Sequence, residues 1–114
     1  MPGPRAVSLW LPVVAWAALI FALSSVPSLS TGLGTWDLLV RKAAHVAEFA
    51  VLAALLARAL GSASWLAFTL AVAYAVSDEI HQHFVRGRNA DAIDVGIDTV
   101  GVLVGLYAYR RWSR

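Results

Sequence analysis

Cysteine is absent from this 114-residue chain, and its absence removes disulfides, thiolate nucleophiles and cysteine-based zinc sites together. Any bound metal has to be held by His, Asp and Glu. Charge is scarce as well. Only 14% of the residues are Asp, Glu, Lys or Arg, whereas a soluble domain carries about 25%. With 60% hydrophobic residues and a mean hydropathy of +0.70, the chain has too little polar surface to cover itself in water, and a bilayer is its expected solvent. A net charge of +2 and a pI near 9.5 would fit a nucleic-acid partner. The basic residues are scattered or sit beside carboxylates rather than forming a stripe, so no nucleic-acid partner is expected. The length fits one domain.

The charge that is present is concentrated. Ser77 to Asp98 reads SDEIHQHFVRGRNADAIDVGID, and these 22 residues hold five of the seven carboxylates, two of the three histidines and two arginines. Ionisable groups at the ends and edges of apolar helices are a functional hypothesis by default, because burying one at the bilayer centre costs about 2.5–3.5 kcal/mol.

The remainder reads as a scaffold of helices. Residues 7–23 form an apolar run interrupted by Pro12 and followed by Ser24, Ser25 and Pro27. A signal peptide has a similar outline, with Ala22-Leu23-Ser24 a passable cleavage site, but an h-region is usually only about 7–15 residues long. A first membrane span, bent near Pro12, is preferred. Residues 27–36 carry turn chemistry and are too polar to span, which predicts a surface loop with Trp36 at the interface. From about Asp37 to Leu60 the pattern is helical, and Arg41, His45, Glu48 and Leu52 are expected on an inward face with Lys42 off to one side. Gly61 to Ser64 reads as a tight turn. Trp65 to Phe84 is a third predicted helix in which Tyr74, Asp78, His81 and Gln82 share a face, with Glu79 and His83 roughly opposite. Tyr74 is most simply core, His83 interfacial and Arg58 topogenic. After a loop containing Arg86 and Arg88, a fourth helix runs to Tyr109. Its Asp91, Asp94 and Asp98 lie on one stripe that continues as Gly101 and Gly105, a small-xxx-small packing motif. Arg110, Arg111, Trp112 and Arg114 read as a basic tail at the far interface.

The expected architecture is therefore all-α, an integral membrane four-helix bundle with spans at about 7–25, 40–60, 65–84 and 91–109. Up-and-down topology gathers every acidic residue and every histidine at one end, with Arg41, Lys42, Arg86 and Arg88. Arg5, Arg58 and the three C-terminal arginines lie at the other end, without carboxylate neighbours, which predicts cytoplasmic termini and an outward-facing polar end.

Four motifs carry a resemblance: SS-x-P after the first span, RK-xx-H-xx-EF opening the second, SDEIHQ-xF-xx-GR closing the third, and D-xx-D-xxx-DT-xG in the fourth. Together, over roughly Trp16 to Gly105, they resemble the VanZ-like family of small bacterial membrane proteins. The resemblance points to Ser24, Ser25, Lys42, His45, Glu48, Asp78, Glu79, Gln82, Arg88, Asp91 and Asp98. It implies a place in the bacterial cell envelope and, since the family is named for a member associated with low-level teicoplanin resistance, a link to glycopeptide susceptibility. Some members carry long extensions that this chain lacks, so it looks like a minimal version.

Several chemistries fit such a polar end. His45, Glu48, His81 and the aspartates offer hard donors suited to a divalent cation such as magnesium or manganese, with no ligand set assigned. The aspartate series is similar to that of CDP-alcohol phosphotransferases but lacks the glycine and Ala-Arg of that motif. An Asp-Glu…Arg arrangement resembles CAAX-type intramembrane proteases without their spacing. Arg86 and Arg88 beside helix starts form a candidate phosphate clamp. Expected partners are membrane lipids or lipid-linked phosphates. The binding candidates are Ser24, Ser25, Arg41, Lys42, Gln82, Arg86, Arg88, Asp91, Asp94 and Asp98. Acid–base work would fall to His45, Glu48, Asp78, Glu79 and His81, with Asp78 orienting an imidazole. A serine nucleophile would need a neighbouring base. The alternatives are a non-catalytic binding or transport module and a purely structural polar network. About a dozen polar groups from four helices favour a site, because so large a network is costly to bury for register alone.

Overall fold

The computed structural model describes residues 4–24, 35–84 and 92–112, with side chains at 5–23, 39–81, 83–84 and 93–112. These residues form four helices and no strand: α1 Pro4–Ser24, α2 Thr35–Leu60, α3 Trp65–His83 and α4 Ala92–Trp112. Each lies close to its expected position. Three boundaries differ: α1 starts at Pro4, three residues before the expected apolar run. α2 starts at Thr35, before its expected span, so Trp36, expected in the loop, lies in the first turn of the helix, and α4 runs on through Trp112, so Arg110 and Arg111 form its last turn instead of a tail beyond it. Cations there face the partial negative charge of the helix C-terminus.

Local chemistry sets the hinge between α2 and α3. Gly61 closes α2 with φ at +84°, a left-handed conformation that glycine adopts without a Cβ penalty. Ser64 then caps α3: the Ala67 N–H donates to Ser64 Oγ at 3.4 Å and the Phe68 N–H to the Ser64 carbonyl at 3.1 Å.

The helices alternate in direction, and their packing follows from small residues. α2 and α3 each touch all the other helices, whereas α1 and α4 do not meet among the described residues. α1 therefore lies on one side of the α2–α3 pair and α4 on the other. Ala67, Ala71 and Ala75, spaced four apart, are fully buried on α3 and let its backbone come close. Phe49 of α2 fills the centre with Ile20, Leu52 and Val102, and its ring lies 6.2 Å from that of Tyr74. Tyr74 is partly buried and packs against the core, and its hydroxyl donates across to the Ala17 carbonyl of α1. Trp16 Nε1–H does the same to the Glu48 carbonyl of α2 at 2.9 Å. At the opposite end from the carboxylates, the Arg58 guanidinium reaches the Ser8 carbonyl at 3.5 Å.

Candidate functional site

The site is built on the parallel pair α2 and α4. Lys42 pairs with Asp94, His45 with Asp98, Gly101 lies against Val46 and Gly105 against Ala50. The polar stripe of α4 and the glycine stripe below it thus face α2 along one seam. The glycines let the backbones touch, and that contact holds the carboxylates above them against the α2 side chains. His45 Nδ1 stands 3.1 Å from Asp98 Oδ1, and Asp98 is only 1% exposed.

The third helix completes the constellation. On α3, Asp78 continues the buried line of Ala67, Ala71 and Ala75 at the inward face and is 3% exposed. One donor atom each from His45, Asp78 and Asp98 lies within 4.8 Å of the others. Asp78 stands five residues before the end of α3 and Asp98 six after the start of α4, so they sit about 7.5 and 9 Å below those helix ends at 1.5 Å per residue. The two carboxylates of the trio are buried, not part of a surface patch. Chemically it offers one imidazole and two carboxylates, enough to share a proton or to hold a hard cation.

The other candidates divide around this centre. Lys42 and Asp94 form an ion pair one turn nearer the polar end. Glu48 and Glu79 are half-buried, and His83 is exposed. His81, one turn beyond Asp78, is half-buried and stacks on Phe21 of α1, with ring centroids 4.1 Å apart and planes 11° from parallel. It faces α1 and is not one of the trio. Ser25, Arg86, Arg88 and Asp91 lie outside the described residues, as do the side chains of Ser24 and Gln82.

One expectation needs correction. The inward face of α2 does not run through Arg41 and Glu48 with Lys42 aside. Lys42, His45, Phe49, Leu52 and Leu56 follow one another at steps of three and four, and Arg41 is exposed. The bulky core residues decide the rotation of α2, and they turn Lys42 toward Asp94. Two contacts went unread in the sequence, Phe21 under His81 and Trp16 on the Glu48 carbonyl. Both residues sit in the apolar stretch that follows Pro12, where no periodicity marks the inner face.

No curated protein and no solved structure matches the chain. A family model described as VanZ/LLP1 matches residues 7–113. That match covers nearly the whole sequence, including all three residues of the buried trio, and it agrees with the motifs noted above: the chain belongs to the VanZ/LLP1 family.

Proposed function

We propose that this VanZ/LLP1 protein is a multi-pass membrane protein of the bacterial envelope whose polar end faces outward and binds or processes the phosphate-bearing head of an anionic lipid or lipid-linked precursor. Through that partner it affects susceptibility to glycopeptide antibiotics. Membrane residence is supported by where the apolar surface lies. Arg5–Leu23 and Leu39–Leu60 are long and apolar enough to cross a bilayer. Outward-facing apolar side chains also cover α3 and α4, among them Leu70, Val76, Ile80, Val100, Leu103 and Val104. In water such a surface would drive aggregation; in lipid it is solvated.

The observation that carries the site reading is the convergence of His45, Asp78 and Asp98 from three helices at a buried depth. Ionisable groups placed so are expensive to keep in a bilayer and mark pathways or sites. Purified protein mixed with defined lipids tests it. Saturable binding of anionic over zwitterionic lipid is the expected result, and equal binding of both sinks it. Turnover abolished in Asp78→Asn identifies an enzyme, and binding without product identifies a carrier. Arg88→Ala should stay folded yet lose the lipid, with Arg88→Lys only a partial rescue because lysine lacks the planar fork.

A structural role is the second reading, and the Lys42–Asp94 and His45–Asp98 pairs favour it, since paired charges fix helix register. Under that reading, variants that lose function lose the fold with it.

A further inference from the structure

We propose that His45, Asp78 and Asp98 form a binding site for one divalent cation of the magnesium or manganese class, and that this cation is what the phosphate of an anionic lipid meets. The second half rests on the lipid-handling function proposed above; the first does not.

The donor set suits a hard cation. It combines two carboxylates with an imidazole, the hard oxygen and borderline nitrogen ligands that suit these ions, in a chain with no thiolate to divert the site toward softer metals. The three come from three different helices, so no single stretch of charge accounts for their meeting.

Spacing agrees with that use. Adjacent ligands on an octahedral ion with bonds of about 2.1 Å stand about 3 Å apart. His45 Nδ1 and Asp98 Oδ1 stand at 3.1 Å. The whole set lies within 4.8 Å, and ligands on opposite sides of such an ion are about 4.2 Å apart, so small rotamer changes close the shell. Burial strengthens the attraction between carboxylate and cation, because Asp78 and Asp98 are 3% and 1% exposed.

The site is also preorganised. Three residues below Asp98, Gly101 lies on the Val46 backbone, next in chain to His45. A ligand from α4 is thereby fixed against a ligand from α2 by main-chain contact, which is how a metal site is held rigid. The Lys42–Asp94 pair absorbs the neighbouring carboxylate and keeps it from competing.

The cation also resolves a conflict within the proposed function. Two buried carboxylates repel a phosphate, whereas a divalent ion held by them presents positive charge to it. Three protein ligands leave positions on a six-coordinate ion for phosphate oxygens.

Full-length protein in detergent, stripped with EDTA, should take up one Mn²⁺ per chain. The free-ion EPR signal reads the uptake, and Mg²⁺ should displace the Mn²⁺. Asp98→Asn and Asp78→Asn should each weaken uptake by about 100-fold or more, the upper end of what loss of even an outer-shell partner does. Pulsed EPR of the wild type should show imidazole nitrogen coupled to the bound Mn²⁺, a readout that needs no variant to fold. Absence of saturable uptake, absence of nitrogen coupling, or unchanged uptake in the Asp78→Asn/Asp98→Asn double variant overturns the site. Lipid binding measured in parallel separates the two proposals. Anionic-lipid binding that ignores EDTA, with no Mn²⁺ uptake, removes the cation and leaves the lipid function; Mn²⁺ uptake through the trio without lipid preference keeps the cation site and removes the lipid.

Discussion

Gly101 of α4 lies directly on the carbonyl of Val46 of α2, with the Val46 Cα 3.0 Å from where a Cβ would stand. The packing seam and the polar site are the same pair of helix faces, since Asp98 and His45 flank this contact. Gly105 is tighter still, its Cβ position lying 2.7 and 2.8 Å from the Ala50 carbonyl carbon and Cα. Backbone cannot swing aside as a side chain can, so Gly105→Ala should cost about 1–3 kcal/mol, as overpacking does. Gly101→Leu should cost at least as much and separate Asp98 from His45. Gly96 has nothing within 4 Å of its Cβ position, so Gly96→Ala should stabilise the helix by about 0.5–1 kcal/mol. Unfolding in detergent measures all three, and a Gly105→Ala variant as stable as wild type would show that the seam does not hold.

Tyr74 joins α3 to α1 through its hydroxyl on the Ala17 carbonyl. A hydrogen bond between helices in a membrane averages about 0.6 kcal/mol, with about 1.7 the most measured in one bundle. Tyr74→Phe keeps the ring beside Phe49 and should lose about that amount. No loss at all would mean that ring packing alone ties α1 to α3.

Reporter fusions after Leu33 and Gly87 should read as extracytoplasmic, and one after Gly61 as cytoplasmic. Arg58 lies in the last turn of α2, and Arg110 and Arg111 in the last turn of α4, at the end opposite the carboxylates. The reverse pattern would turn the polar end inward and remove outer-leaflet precursors from its reach.

Helix number and approximate bounds were legible in the sequence because Gly61, Ser64 and the polar segments punctuate long apolar runs. The α4 stripe was legible too, since Asp94, Asp98, Gly101 and Gly105 are polar or small against a uniformly apolar background, and Gly101 and Gly105 pack as expected. The rotation of α2 was not. Charged residues stand on several sides of its first turns, so polarity does not say which side is buried; Phe49 and Leu56 pack inward and leave Arg41 exposed. The meeting of Asp78 with His45 and Asp98 was legible only as a shared end of the bundle. Their approach depends on the lateral order of the helices, which places α4 rather than α1 against the His45 side of α2, and no residue encodes that order locally.

Lys42 and Asp94 supply the sharpest test of that corrected rotation. Asp94 is nearly buried, and Lys42 is about a third exposed and pairs with it. Removing the lysine leaves a buried carboxylate uncompensated, a change that costs about 3–5 kcal/mol in a fully buried pair and less here because water reaches the ammonium. Lys42→Met should therefore destabilise the bundle, Asp94→Asn should do so less, and the double variant should recover much of the loss, with a coupling energy of about 1–3 kcal/mol. Arg41→Ala, one residue and about 100° away, removes a charge on the exposed side of α2 and should change stability by no more than about 1 kcal/mol, the range of an exposed ion pair. A full double-mutant cycle read by unfolding in detergent checks this. If Arg41 and not Lys42 couples to Asp94, α2 is rotated as its polar residues alone would place it, and the seam joining His45 to Asp98 fails along with the pair.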